Sequence, residues 1–562
     1  MYKRIITAIL LTLAPMLAQG QAVEGKVTAE MAPPQLTYQG LVPGLSTLAD
    51  AREKLGKPLF EAAWYNYKLL YPVNGKPGLV DTVHVDSNQP DSRLASIEAA
   101  SVPEGYETED AVRAKLGEPE FVLRMHTWGM LDYAEKGLRF SLDPDGKTTG
   151  VSYFPHGARR VPPGERDLVD LTHLSREPKG GPAPALDGLE AAAGEAVISP
   201  QEQSWLKEPF TIVQDLKVRF VVLRKGDLTV ALCGADVFGM GFQDVMQIRK
   251  GAQDLGIDHL VFGMSHTHSA GDLLGVYGHY PVEYVAHVKT QTLAALEAAL
   301  DKLAPVGEVR AASRELPMDG TRVMGLIRNA RNPGVMDPTM DVLQIMGKDK
   351  KAIGTIVHLA CHPESVEAGE KEIDADYPGY LCAALAGEEI GQPIFLNGAL
   401  GGMVSGDNPE RTHASSKETG ERFAGLAREL LAEAKPIGGE VFSADVNRLE
   451  LPLSNKRFEP LMESGVREMT AGRVVTDMTY VRIGEVQIVT LPGEVLPEVS
   501  YEILEHMQGF PRILVGLGND QLGYIIPAYD FRKGVYEESM SVGPATAYSV
   551  RDMALRMVRE RR

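Results

Sequence analysis

From about residue 189 onward, short apolar runs alternate with longer amphipathic stretches. Val218 to Leu223 and Leu228 to Leu232 read as strands joined by a Lys225-Gly226-Asp227 turn, and helical periodicity recurs near 242–255, 281–303, 377–389 and 414–434. That alternation predicts an α/β domain on a mixed sheet, with functional loops at strand ends. The earlier residues follow another rhythm. Leu48 to Pro58 returns as Glu109 to Pro119, offset by 61 residues, each copy a short helix closed by Gly with Pro beyond it. Strand-like runs follow both copies, Ala63 to Tyr67 and Leu79 to Val85 after the first, Leu138 to Leu142 and Gly150 to Phe154 after the second. The expected organisation is a smaller α+β module of two repeats over 23–160, a Pro-, Gly- and charge-rich linker over 161–188, and the mixed-sheet α/β domain over 189–562.

Residues 1–22 carry Lys3 and Arg4, an apolar run from Ile5 to Ala18 and a small-residue end, Ala18 to Ala22, which is the pattern of a secretory signal peptide. The run falls short of the roughly 20 residues a spanning helix needs, and no Cys follows it to carry a lipid. No later segment is long and apolar enough to span. The expectation is an exported protein, periplasmic or secreted, without a transmembrane segment in its mature form. The formal net charge of −19 disfavours nucleic acid as a partner, because a phosphate backbone would repel the surface. Three cysteines are too few for a disulfide framework, and their odd number leaves at least one free thiol, with one bridge left open.

Chemistry concentrates in the larger domain. Ser265-His266-Thr267-His268-Ser269 follows the strand-like His259 to Phe262, so the two imidazoles at i and i+2 are expected on one side of a strand end, where they could hold a metal. Four further segments place a ligand or polar catalyst just past a strand. They are Gly354 to Leu359 running to Cys361-His362-Pro363-Glu364, Val486 to Thr490 running to Leu491-Pro492-Gly493-Glu494, Gly518-Asn519-Asp520-Gln521-Leu522-Gly523-Tyr524, and Lys533-Gly534-Val535-Tyr536-Glu537. Each has a bland reading: His362 bonded to a carbonyl, Glu494 as a cap, Tyr524 in a core.

Taken in order, these segments resemble the catalytic domain of the neutral/alkaline, non-lysosomal ceramidases, which are zinc-dependent amidases. The likeness runs from about Ala191, through Val197-Ile198-Ser199-Pro200 and Gly234-Ala235-Asp236, to the C-terminus. It implies Zn2+ held by His266, His362, Glu494 and Tyr524, with His268 beside the scissile group, Tyr536 near the reacting carbonyl, and Arg328 or Arg331 contacting substrate. Zinc so held would lower the pKa of a bound water to about 7 and polarise a carbonyl. Asp376 is expected either to fix a ligating ring or to cap the helix that follows it. The Leu-Gly-x-Pro core of the N-terminal repeat is similar to small helix-plus-sheet repeats of envelope assembly lipoproteins and proteinaceous β-lactamase inhibitors. That implies a packing or docking module with a peripheral envelope contact.

One departure from the family bears on substrate. Its nucleophilic serine sits in an Asn-x-Gly-Asp/Asn-hydrophobic-Ser-Pro loop, whereas this chain reads Asn397-Gly398-Ala399-Leu400-Gly401-Gly402-Met403-Val404-Ser405. Aligned on Gly401, the serine position holds Val404 and Ser405 falls one residue late. Either Ser405 or a zinc-activated water is the nucleophile, and water needs only the metal's chemistry. The expected function is an exported zinc-dependent amidohydrolase of an N-acyl substrate, small or lipid. The alternatives are a zinc hydrolase of a non-lipid envelope amide or ester, and a non-catalytic envelope binding or assembly protein.

Overall fold

The structure, a computed structural model, describes residues 36–64, 66–73, 80–85, 87–155, 168–179, 186–200, 210–271, 273–274, 282–366, 372–402, 404–406, 410–459, 469–470, 472–532 and 536–560. The signal-peptide reading of 1–22 lies outside the described residues. The chain forms two compact units. One comprises the residues up to His173 with Leu316–Val335 and Ala528–Glu538, and the other comprises Leu174–Glu315, Met336–Pro527 and Ser539–Arg562. Among the described residues no helix is long and apolar enough to cross a membrane.

The first unit is a nine-stranded sheet. Its order is Phe60–Trp64, Asn66–Pro72, Val80–Val85, Leu94–Ala99, Thr148–Tyr153, Leu138–Leu142, Gly129–Tyr133, Phe121–Arg124, Leu168–Asp170. The helices Leu48–Leu55 and Glu109–Leu116 open on Thr47 and Thr108 caps and close on Gly56 and Gly117. Alternation along the strands makes the two faces unlike. Val83, Val85, Ile97 and Ala99 join the apolar core, while Thr82, His84, Ser96 and Glu98 are buried on the other side. The segment Leu316–Val335 bonds part of that polar side: Thr321 Oγ1 donates to Glu98, Arg322 to Thr82 Oγ1 at 2.7 Å, and Arg139 to the Pro333 carbonyl at 2.9 Å. Within the expected linker, Leu168–Asp170 is a strand paired in parallel with Phe121–Arg124.

The second unit is mixed α/β. Its larger sheet runs His259–Met264, Leu228–Ala235, Lys217–Lys225, Leu189–Val197, Ala304–Glu315, Thr339–Gly347, Ala352–Leu359, Gln392–Asn397. Only the pairs at its two ends are parallel. Val218, Phe220 and Val222 face one core with the helices Phe242–Asp254 and Val282–Leu300, while Val221 and Leu223 face another shared with Val481, Ile488 and Ile513 of a second sheet. Burial on both faces explains the unbroken apolar runs seen in the sequence. The large sheet also folds back on itself. A Cβ at Gly234 would collide with the Phe395 carbonyl, so only glycine allows these strands to approach. All three cysteines are buried and free, which closes the question of a bridge.

Candidate metal centre

The folding back brings strand ends together. His259–Met264 stops at Met264, after which Ser265 N donates to Ala235 O and His266 N to Val237 O. His266 takes φ +70, a conformation uncommon outside glycine and one that the surrounding hydrogen bonds must hold. The two imidazoles therefore meet through a turn, not through the strand alternation expected from i and i+2. His362 follows Ala352–Leu359, and its N donates to Val404 O at 2.6 Å. Glu494 opens a short strand paired in parallel with Tyr524–Ile525, with Glu494 opposite Tyr524. Gly401 packs against this strand so closely that a Cβ there would stand 2.5 Å from Glu494 O. Asn397 ties the arrangement: its Nδ2 donates to Ser265 O and Cys361 O, both at 2.8 Å, and its Oδ1 accepts from Cys361 N and Gly398 N.

At the centre, Glu494 Oε2 lies 3.0 Å from His362 Nε2 and 3.5 Å from His266 Nε2. Ligands at 2.0–2.1 Å from a tetrahedral ion stand about 3.3 Å apart, so these atoms, which bond one another here, are spaced closely enough to share one ion. The far side of each ring agrees. His266 Nδ1 donates to Phe238 O at 2.5 Å and His362 Nδ1 to Val404 O at 3.1 Å, which fixes the tautomer whose Nε2 lone pair faces inward. Gln521 Nε2 holds the other carboxylate oxygen, Oε1, at 2.8 Å. Two imidazole lone pairs and a carboxylate oxygen, all buried and converging, suit a divalent cation. The rings of His266, His268 and His362 offer ligand atoms within 4.8 Å of one another, so a third imidazole is also in reach.

Charge follows this geometry. Burial opposes ionisation of Glu494, but the His266 and His362 rings beside it hold its carboxyl well below the usual range. Burial pushes His362 down, yet its bond to Glu494 and the charges of Glu364 and Glu494 outweigh that and raise it. His268 is pushed down to about 3, chiefly by burial, against the pull of Glu364. Phe238 stacks on His266 at 4.7 Å and meets His268 edge-on at 5.0 Å, forming an apolar wall.

The remaining expected residues divide between the units. Ser405 pairs its backbone with His362 in a parallel bridge and is buried. Arg328, Arg331 and Tyr536 belong to the first unit. Arg331 is enclosed there: Nε bonds Asp530 Oδ2 at 3.0 Å, its terminal nitrogens bond Glu537 and Glu538, and Nη2 reaches the Asp530 carbonyl. All three guanidinium nitrogens of Arg331 are thus engaged by groups of its own unit. Asp376 bonds none of the three imidazole rings, and the cap position of its helix falls to Ala375, although its Oδ1 accepts from Tyr377 N in the first turn. It is the first residue of Asp376–Leu385 and accepts from Ser365 N, Val366 N and Ser416 Oγ, anchoring the loop after His362. The sequence pattern assigned no role to Glu364, Gln521, Asn397 or Phe238. Each sits within or beside a motif, but nothing in the pattern distinguishes a residue that supports a ligand from its neighbours.

No protein family and no curated protein matches this chain by sequence. Solved structures do. The neutral ceramidase from Pseudomonas aeruginosa aligns with a TM-score of 0.54 at 15% identity, over 66% of this chain and 75% of that one. A structure described as ceramidase complexed with C2 aligns with the same score and identity, over 66% and 76%. At that identity the likeness is one of architecture: the chain has a ceramidase-like fold, with a buried histidine group able to hold a metal ion.

Proposed function

We propose that this protein is an exported, zinc-dependent amidohydrolase acting on an N-acyl substrate of the lipid-amide kind. The observation that carries the reading is the convergence of His266 Nε2, His362 Nε2 and Glu494 Oε2 at coordination spacing, with both Nδ1 atoms tied to carbonyls. The ceramidase-like fold supports the reaction class. In this proposal His266, His362 and Glu494 hold the zinc, with Tyr524, opposite Glu494 on the neighbouring strand, as the fourth ligand. When bound there, zinc supplies a Lewis acid for an amide carbonyl and acidifies a nearby water.

The chain's own groups do the rest. Gln521 and the Phe238 and Val404 carbonyls orient the ligands. His268 takes a proton from the attacking water and returns it to the departing nitrogen. Water is preferred over Ser405 as nucleophile because Ser405 departs from the family's loop pattern. The same departure leaves the acyl and amine portions to experiment.

Metal analysis tests the proposal. About one zinc per chain is expected, lost together with amide hydrolysis in His362→Ala. Wild-type protein that binds no divalent metal would overturn it. Hydrolysis of ceramides against N-acyl amino acids and muropeptides separates lipid from non-lipid substrates.

A further inference from the structure

We infer that Glu364 is a positioning residue for His268, a role that rests on the amidohydrolase reading above. Glu364 lies two residues past His362, on the loop that Asp376 anchors through Ser365 N and Val366 N. It is 3% exposed, and its Oε1 stands 3.4 Å from His268 Nδ1. Arg411 Nε bonds the Glu364 carbonyl at 2.8 Å, and His268 N donates to the carbonyl of Pro363 at 3.3 Å, so backbone contacts fix both ends of the pair. The opposite ring nitrogen, His268 Nε2, is buried and has no hydrogen-bond partner among the described residues. A structural histidine would avoid leaving a buried ring nitrogen without a partner.

With the Glu364 carboxylate 3.4 Å away, the ring proton is placed on Nδ1 by charge, which leaves Nε2 with its lone pair. His268 can then work at Nε2 alone. Water adds its oxygen to the amide carbon and passes one proton to Nε2. As the C–N bond breaks, Nε2 gives that proton to the nitrogen, leaving a carboxylic acid and an amine with the ring unchanged. The Nδ1 proton never leaves the pair. Nothing in the sequence separates this Glu from an ordinary loop carboxylate, and His268 itself follows from the motif only as a neighbour of the reaction.

The test compares Glu364→Leu and Glu364→Gln with the wild type, all zinc-loaded and labelled with 15N-histidine, with His268→Gln used to assign the ring. The wild type is expected to show His268 protonated at Nδ1. That signal shifts or disappears in Glu364→Leu, less so in Glu364→Gln, while zinc content stays at the wild-type level. The kcat is expected to fall about 10²-fold or more with KM changed less than threefold, within the range for loss of a general acid–base group. An unchanged His268 tautomer in Glu364→Leu, or a metal-bound Nε2 signal, overturns the inference while zinc binding and wild-type hydrolysis stand. Absence of zinc or hydrolysis in the wild type overturns the underlying reading instead.

Discussion

Gln521 Nε2 donates to Glu494 Oε1 at 2.8 Å, which leaves Oε2 as the oxygen facing His362 and His266. One amide thus decides which carboxylate oxygen serves the centre. Replacing Gln521 by Leu removes the donor at similar volume and lets the carboxylate rotate. Loss of such an outer partner typically lowers metal affinity 10–100-fold. Competition with a chelator of known zinc affinity should show that drop. A variant that retains wild-type affinity would make Gln521 a packing residue.

Asn397 links the His266 and His362 loops through one fully buried amide that accepts from two backbone N–H groups and donates to two carbonyls. Asn397→Leu strands all four, and each unsatisfied buried group costs about 1–3 kcal/mol. Partial relaxation reduces the sum, so destabilisation of about 3–5 kcal/mol is expected, a large loss for one substitution. Guanidinium unfolding followed on the second unit should show an early transition in the variant. A midpoint within error of the wild type would mean the loops are held by other contacts.

The elements of the second unit were legible because periodicity is a local signal. The helices Phe242–Asp254, Val282–Leu300, Asp376–Leu385 and His413–Ala432 fall close to where the pattern puts them. The residues that converge were within reach of the sequence too, since His266, His362 and Glu494 each lie just past a strand. The approach of the sheet's two ends was not legible, because it depends on Gly234 admitting the Phe395 backbone, a contact between residues far apart in sequence. Nor was the division of Arg328 and Arg331 from their own flanks. Arg331 is sequestered by Asp530, Glu537 and Glu538, some two hundred residues later, and only the fold brings those carboxylates to it.

The Asp376 carboxyl is pushed up to about 6 by burial, despite its backbone and Ser416 donors. Its ordinary value is 3.8, so between about pH 4 and 6 the unfolded chain releases this proton while the native chain keeps it. The native state then binds more protons, and this group's contribution falls as pH rises through that window. A tenfold difference in proton affinity between the two states corresponds to about 1.4 kcal/mol, giving roughly 2–3 kcal/mol across the window. The stability difference between wild type and Asp376→Asn should therefore move against the wild type from pH 4 to 6.5. A flat difference would show that the site ionises normally.

The first unit is expected to respond to acid with the opposite sign. Glu98 is buried against His84, Arg322 and Thr321. Burial opposes its ionisation, but His84 and Arg322 hold its carboxyl below the usual range. His84 is itself pushed below its ordinary 6.5, chiefly by burial. For both groups the unfolded chain binds protons more readily, so stability present near pH 7 is lost as pH falls through about 6.5 and then 4.5. Because Thr321 and Arg322 lie in Leu316–Val335, loosening the Glu98 cluster should release that segment along with the sheet face it covers. Amide hydrogen exchange, corrected for its intrinsic pH dependence, should show protection of 316–335 falling between pH 7 and 5. Glu98→Gln removes the carboxylate's share of that dependence and lowers protection at pH 7 by an amount set by a buried charged hydrogen bond, about 1.5–3 kcal/mol. Protection of 316–335 that persists unchanged to pH 4 would mean the segment is held by its apolar contacts, with the buried His84–Glu98 pair contributing nothing to it.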